Sequence, residues 1–284
     1  MANGYYPLAF WDLELSKLFK YNNFEGIRLG IGGKTNDHIS NKFNIGGYFV
    51  YGFGDQKAKY NINTSIYLNK STNTNLKLGY TRDIKEVGSF DYLKAPPKFY
   101  LIEPRFVNIN FFYNYKQYYA GLEHRIIPQL SSEIRFSQTK VFDVRDYVFL
   151  YNGKLYPEYT VSTAGISFSW EPFNNYLKTP ESDILIERNY PRITAQIDKG
   201  FADVAEGDFN FLRTGLKLEY TIRRLNLSRT EFIIEGNYAT GTLPLTHTFH
   251  AYPNSSRQEA VLKRFSIAGK TSFETMYYNE FYSD

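Results

Sequence analysis

The chain has 284 residues, of which 26 are Tyr and 24 are Phe, and it contains no Cys. Tyr and Phe favour pleated surfaces, so the composition favours β-structure, and the absence of Cys excludes disulfides, thiolate chemistry and Cys-based metal sites. The 33 basic and 29 acidic residues give a formal net charge of +4 and are scattered along the chain. This argues against nucleic-acid binding, because proteins of that class usually cluster their Lys and Arg.

The N-terminal stretch MANGYYPLAFWDLELSKLFK lacks the basic start and the continuous apolar centre of a signal peptide. Either the protein is not exported, or the chain begins after the signal. The longest run without charge, Asn or Gln spans residues 45–54, about half the length of a membrane-spanning helix. The sequence therefore predicts no helical membrane span.

Alternation of apolar and polar residues is the main signal along the chain. In FNIGGYFVYGFGD, residues 43–55, Phe43, Ile45, Phe49 and Tyr51 fall on one face, and mostly small or polar residues fall on the other. Residues 104–115 fit either a strand or an aromatic segment inside a long connection. The same alternation predicts strands at residues 24–34, 60–69, 76–81, 118–126, 131–141, 159–171, 191–199, 211–223, 230–240 and, less regularly, 265–281.

Periodicity alone does not separate a membrane barrel from a soluble β-sandwich or a soluble closed barrel, since all of them alternate. Strand length favours the membrane. A strand of about ten residues, tilted by about 45°, covers about 24 Å of the membrane normal, whereas strands of soluble domains cluster near about five or six residues. Tyr near the strand ends is typical of interfacial girdles. We therefore expect the apolar face to meet lipid and the charged face to be enclosed.

The connections between the predicted strands differ in length. They are short near residues 54–57, 69–73 and 225–229 and long at residues 83–114, 142–158, 172–190 and 241–264. Short turns at one rim and long loops at the other are typical of an up-and-down barrel, and no repeat or linker divides the chain. The sequence therefore predicts a single all-β domain over residues 1–284, a transmembrane antiparallel up-and-down β-barrel of about ten to twelve strands.

Charged side chains on the face opposite the apolar residues are expected to line the lumen. They carry both signs, which suits a narrow lumen filled by hydrogen-bonded side chains. The predicted pairs are Glu123 with Arg125, Glu133 with Arg135, Arg213 with Glu219, and Lys217 with Glu235. The predicted lumen-lining residues are Arg28, Glu123, Arg125, Glu133, Arg135, Arg213, Lys217, Glu219, Glu231 and Glu235.

Several stretches resemble one known family. They include KLFKYNNFEGIRLGIGGKTNDHISNKFNIGGYFVYGFGDQKAKY, EPRFVNINFFYNYKQYYAGLEH and GNYATGTLPLTHTFHAYPN, and together with others they span nearly the whole chain. They resemble the C-terminal barrel region of the Bacteroidetes outer-membrane family of carboxypeptidase-like regulatory-domain proteins, which has a domain of unknown function. The resemblance implies an outer-membrane β-barrel and no chemistry. It also implies a non-catalytic β-sandwich before position 1 and further strands after position 284, so we expect the chain to be a fragment.

His247 and His250 in THTFHAYP are the candidate metal ligands, because two imidazoles three residues apart on a turn can share a cation. No Asp or Glu follows closely enough to complete the site, and Glu259 would have to fold back. We therefore expect loop packing and no metal.

The sequence also predicts no catalytic residue and no cofactor. No G-x-S-x-G nucleophile elbow is present, and the glycines of GIRLGIGG do not match the dinucleotide pattern G-x-G-x-x-G. Glu231 and Glu235 share one strand face but lie about 13 Å apart, too far for joint acid–base work. Salt bridges in the lumen are the expected use of these carboxylates.

These observations lead to three hypotheses of function. The preferred one is a non-enzymatic outer-membrane component that acts as a scaffold, assembly partner or envelope organiser, with membrane lipid and other outer-membrane or periplasmic proteins as its partners. The first alternative is an ion or small-solute channel or transporter. The second is a membrane-embedded hydrolase or acyltransferase, which would require a Ser-His-carboxylate cluster at one rim.

Overall fold

The computed structural model describes residues 4–95, 111–144, 147–179, 183–224 and 228–250, and the backbone of residues 253–255 and 273–277. Within these ranges the fold is all-β, as predicted, and its helical residues form only short 3-10 turns, at Leu15–Lys17 and Leu245–His247. The strands are β1 (Tyr5–Leu8), β2 (Trp11–Glu14), β3 (Phe19–Asn22), β4 (Gly26–Thr35), β5 (Phe43–Gly52), β6 (Lys57–Asn69), β7 (Thr74–Glu86), β8 (Phe112–Ile127), β9 (Leu130–Phe142), β10 (Phe149–Tyr151), β11 (Lys154–Tyr156), β12 (Tyr159–Trp170), β13 (Asn175–Lys178), β14 (Asp183–Glu187), β15 (Arg192–Phe201), β16 (Phe211–Arg223), β17 (Arg229–Gly241), β18 (Pro253–Ser255) and β19 (Phe273–Tyr277).

One antiparallel sheet of 13 strands dominates the structure, in the order β1-β2-β4-β5-β6-β7-β8-β9-β12-β15-β16-β17, with β3 paired to β4. Its long strands follow one another as a meander, which agrees with the predicted up-and-down order. Two hairpins, β10-β11 and β13-β14, lie within the β9–β12 and β12–β15 connections, and β18 pairs with β19 in parallel.

The predicted closed barrel is not found in the described part of the chain. There, no pairing joins β17 to the N-terminal strands, so the sheet is open, and its 13 strands exceed the predicted number. Closure needs a long edge at both ends, and β1, β2 and β3 each have only 4 residues. Of the predicted last strand, 265–281, only residues 273–277 are described, and they pair with β18. Most of the candidate strand 104–115 lies outside the described residues, and its end belongs to β8.

The connections alternate between two rims, because the neighbouring long strands are antiparallel. The loop rim carries the β5–β6, β7–β8, β9–β12 and β15–β16 connections and the chain after β17. The turn rim carries the β4–β5, β6–β7, β8–β9, β12–β15 and β16–β17 connections. The predicted separation of short turns from long loops is therefore incomplete: the short β5–β6 turn lies at the loop rim, and the long β12–β15 connection lies at the turn rim.

The sheet exposes its apolar face and buries its charged face, which is the reverse of what water-soluble proteins show. On the outer face, Phe49 is 55% exposed and Ile234 is 66% exposed, whereas on the inner face Lys59 is 1% and Glu133 is 0% exposed. Inner side chains from strands that are not neighbours touch one another, as described below, so the sheet curves around them. Polar groups thus occupy the concave side.

A hydrophobic cluster covers the inner face at the loop rim. Phe209 from the β15–β16 connection contacts the rings of Phe149, Tyr156 and Tyr159 at centroid distances of 5.1, 5.1 and 5.6 Å. Tyr159 lies at a strand end, where Tyr was expected to face a membrane interface, but it is buried here against Phe209 and its hydroxyl is hydrogen-bonded to Thr246. The buried members are Val87, Tyr113, Val141, Val144, Tyr159, Val161, Phe209 and Phe211.

Candidate functional site

The first charged cluster lies on the inner face near the loop rim. Arg28 of β4 donates two hydrogen bonds to Asp83 of β7, with Nη1–Oδ1 at 2.7 Å and Nη2–Oδ2 at 2.8 Å. Glu25 lies 3.3 Å from the Arg28 guanidinium and 2.5 Å from the Lys59 ammonium, and Lys59 also contacts Asp55 at 2.6 Å. The buried charges therefore form a network in which each one has an opposite partner, the condition under which burial is tolerated.

The second charged cluster lies near the turn rim and centres on Lys77 of β7. Its ammonium contacts Glu123 of β8 at 2.6 Å and Glu133 of β9 at 2.8 Å. Arg135 donates through Nε to Glu133 at 3.0 Å, and Lys94 donates to Glu123. Three cations thus share two carboxylates, and the contacts link three neighbouring strands.

Lys94 belongs to an inner segment, residues 87–95, that leaves β7 at the loop rim and runs along the inner face. Lys85 and Asp91 form an ion pair of 2.8 Å near its start. The backbone N–H of Leu93 donates to Oε1 of Gln196 on β15 at 2.7 Å, and the Tyr92 hydroxyl donates to Asn237 on β17 at 3.4 Å. The inner segment is therefore attached to strands on both sides of the curved sheet.

Gly215 on β16 lets the inner segment approach the sheet. A Cβ atom at this position would lie 2.4 Å from a ring carbon of Phe90 and 2.8 Å from the Tyr92 hydroxyl. Both distances are shorter than real Cβ contacts, so a larger residue would displace one of the rings. Gly236 on the neighbouring strand has nothing within 4 Å of its Cβ position.

Two polar cavities remain beside the inner segment. One has a volume of about 470 Å³ and is lined by Lys20 and Arg28 from the beginning of the sheet and by Lys217 and Glu235 from its end. The other has a volume of about 230 Å³ and surrounds Arg213. The first cavity shows that both ends of the open sheet face a common space.

The predicted lumen residues lie on the polar face, with Arg28, Glu123, Glu133 and Arg213 buried. The predicted Glu133–Arg135 pair is present. Two of the other predicted pairs differ from the observed contacts. Glu123 binds Lys77 and Lys94 instead of Arg125, whose Nη1 lies 4.0 Å from Asp183. Arg213 and Glu219 lie about 20 Å apart along one strand, so they do not pair.

Lys217, Glu219, Glu231 and Glu235 lie near the turn-rim half of β16 and β17. Lys217 is 3.8 Å from Glu219 and directly opposite Glu235 in the strand register. Glu231 contacts Arg229, two residues away on the same strand. These contacts join residues of the same strand or of adjacent strands.

His247 and His250 are buried in the packing of the loop rim. His250 Nε2 lies 2.9 Å from a carboxylate oxygen of Glu86, and His247 Nδ1 lies 2.8 Å from the Thr246 hydroxyl. Burial and the nearby positive charges of Arg213 and Lys85 hold the pKa of His247 well below its ordinary value. Among the described residues, no three His, Asp or Glu side chains form a metal-binding group, and Glu259 lies outside those residues.

A hydroxyl group also lies near the His250–Glu86 pair. Ser89 is three residues from Glu86, and the backbone N–H of His250 donates to the Gly88 carbonyl at 3.1 Å. However, the Ser89 hydroxyl donates to the Glu86 carbonyl at 2.9 Å, and the Glu86 carboxylate lies beside the Nε2 atom of the imidazole, at 2.9 Å. In a nucleophile–base–acid arrangement, one ring nitrogen of the His bonds to the hydroxyl and the other ring nitrogen bonds to the acid. Ser89, His250 and Glu86 are not arranged in this way.

No helix in the parts of the chain that the structure describes is long and apolar enough to cross a membrane.

Comparison with known proteins gives one family. Residues 11–240 match the model of the C-terminal domain of a family of unknown function, DUF5686. No curated protein matches the chain. The matched region includes the long strands β4 to β9, β12 and β15 to β17 with both charged clusters, except for the last residue of β17.

Proposed function

The chain belongs to the DUF5686 family, whose C-terminal domain it matches. From its geometry we propose that it is a non-enzymatic, non-conducting outer-membrane protein that acts as a scaffold or assembly partner. The observation that carries this proposal is the inverted burial of the sheet, with apolar side chains exposed on the outer face and ion pairs buried on the inner face.

The outer face has the composition that lipid contact requires. Exposed large apolar residues recur along its long strands, among them Ile31, Phe49, Ile62, Ile134, Leu216 and Ile234. A shallow groove of about 660 Å³ on this face is lined mainly by residues of β5 to β9, most of them apolar. An apolar surface that continues over many neighbouring strands exceeds what monomeric water-soluble proteins expose. A lipid bilayer is the environment in which this surface is stable.

The proposed location in the outer membrane is supported by the long antiparallel strands and by the resemblance of the chain to Bacteroidetes outer-membrane proteins. Strands cross membranes only where their edges are paired. We therefore propose that the sheet closes into a barrel, since both of its ends already face the cavity of about 470 Å³.

The filled interior argues for a scaffold instead of a channel. Within each charged cluster the cations are paired with carboxylates, and the inner segment is bound to β8, β15 and β17. An ion crossing this space would have to displace paired side chains. The specific observation in favour of the channel is the polar cavity of about 470 Å³, so conductance decides between the two.

The experiment combines vesicle insertion with planar-bilayer recording. We expect the purified chain to float with vesicles and to give no sustained current. Ile234→Lys on the outer face should reduce insertion, since a charge facing the bilayer centre costs about 2–4 kcal/mol. Leu155→Lys is the matched control, because Leu155 is equally exposed, at 64%, but lies in the β10-β11 hairpin. Equal insertion of both variants would contradict the membrane role, and a sustained current would favour the channel.

The assembly role is tested separately. Photo-crosslinkers placed in the β10-β11 hairpin at the loop rim, where Leu150 and Leu155 are exposed, should capture a defined envelope protein in intact cells. The same crosslinker on the inner face, at Thr139, is the control and should capture none. Equal capture at both positions, or capture at neither, would contradict a docking role for this rim.

A further inference from the structure

Arg213 of β16 is a buried cation. The residue is only 7% exposed, and its buried Nε atom has no hydrogen-bond partner among the described residues. Its close contacts are the rings of Phe90 and Phe249, whose centres lie 4.8 and 5.2 Å from the guanidinium carbon. Ring faces attract a cation but do not satisfy N–H donors that point elsewhere.

The neighbouring carboxylates are engaged by other groups. Asp198 lies directly opposite Arg213 in the register of β15 and β16, yet its two oxygens accept hydrogen bonds from Gln196 Nε2 at 3.1 and 3.0 Å. Asp91 forms its ion pair with Lys85. In contrast to Arg28, which binds Asp83 through both terminal nitrogens, Arg213 has no ion pair with a described residue. An unpaired buried charge is strongly unfavourable, so an additional acceptor is expected here.

The space for that acceptor is the cavity of about 230 Å³. Its charged lining residues are the cations Lys85, Arg135 and Arg213 and the carboxylates Asp91 and Asp198, so positive charge is in excess. The remaining polar lining includes the hydroxyls of Ser137, Thr139 and Thr163 and the amide of Gln117. A volume equal to about eight water molecules accommodates a small solute but not a polymer.

We propose that this cavity binds a small oxyanion, a phosphate or carboxylate group that accepts hydrogen bonds from the Arg213 guanidinium. The planar guanidinium fork suits both groups, which can accept two parallel hydrogen bonds from it. Lys85 and Asp91 line this cavity and the cavity of about 470 Å³, so the two spaces adjoin and the larger one provides the approach. The inference does not rest on the proposed function, because it depends only on the inner face of the sheet.

Binding is measured by titrating the detergent-purified full chain with inorganic phosphate and, separately, with acetate, at low ionic strength and with chloride as the reference anion. We expect saturable binding of phosphate or acetate but not of chloride. Arg213→Gln should weaken it about tenfold or more, the usual effect of losing a charged hydrogen bond. Arg223→Gln is the matched control, because it removes the same charge from an exposed position on the same strand, and it should leave the affinity unchanged.

Two results would overturn the proposal. One is the absence of saturable phosphate and acetate binding by the unmodified chain, which would assign the cavity to water. The other is an equal loss of affinity in both arginine variants, which would indicate a general charge effect. If Arg213→Gln does not fold, selenate in crystals of the unmodified chain decides the question: an anomalous peak within hydrogen-bond distance of Arg213 supports the site, and a peak elsewhere or no peak refutes it.

Discussion

Replacement of Asp83 by Asn tests whether the buried ion pairs hold the curved sheet together. The Asp83 carboxylate accepts two hydrogen bonds from Arg28 and one from the Tyr48 hydroxyl. Without the charge of Asp83, Glu25, at 3.3 Å, is the one close opposite charge that the described residues leave to the Arg28 guanidinium. Breaking one side of a buried pair costs about 3–5 kcal/mol. We expect the lower end of that range, because Glu25 retains part of the attraction.

The free energy of unfolding is measured by denaturant titration of the reconstituted protein, with the fluorescence of its 2 Trp residues as the signal. The control is Asp143→Asn, since the Lys57–Asp143 pair is about half exposed and should contribute less than about 1 kcal/mol. A double-mutant cycle of Arg28→Met and Asp83→Leu isolates the pair. Equal losses for Asp83→Asn and Asp143→Asn, or additive effects in the cycle, would refute the reasoning.

Three further predictions follow from the same contacts. Gly215→Val should displace the inner segment and expose it to chymotrypsin, whereas Gly236→Val, with open space at its Cβ, should not; equal digestion would contradict the role of the close approach. Lys77→Met should destabilise the protein by about 3 kcal/mol, because it leaves two carboxylates adjacent. Lys140→Met breaks an exposed pair and should cause no measurable change. Denaturant titration compares the free energies of unfolding of the two variants. Because the pKa of His247 is lowered in the folded state, the unfolded state binds one more proton below about pH 6.5. The free energy of unfolding should therefore fall as the pH drops below about 6.5, by up to about 1.4 kcal/mol per pH unit until the folded pKa is reached. His247→Gln should flatten this slope in hydrogen exchange at the loop rim, and an unchanged slope would assign it to another group.

The strands were predictable wherever alternation was long. The prediction for residues 211–223 has the same bounds as β16, because its apolar and polar residues alternate over 13 residues and both faces have a distinct environment. Strand β2 was missed, since 4 residues are too few to establish a period. The alternation therefore predicts which face of the sheet each residue of a long strand lies on, but it does not predict the short strands with which the sheet begins.

The contacts between strands were less predictable than the strands. Glu133 and Arg135 share a face two residues apart, so their pairing was visible in the sequence. The pairing of Lys77 with Glu133 joins strands β7 and β9 across β8 and depends on register and curvature. The inner segment was predicted only as part of a long connection, because periodicity does not report where a loop folds. The unpaired state of Arg213 likewise depends on the Asp198–Gln196 contact.

The inverted burial and the proposed membrane location depend on each other energetically. A buried ion pair recovers roughly its own desolvation cost, so an ionic interior adds specificity but little net stability. In water, the hydrophobic contribution of this domain would come mainly from the cluster at the loop rim, while apolar residues such as Phe49 and Ile234 stayed exposed. Transfer of the outer face into lipid removes that exposure at about 25 cal/mol for each Å² of apolar surface. At the proposed location, transfer of the outer face into lipid would therefore provide the driving force that the polar interior lacks.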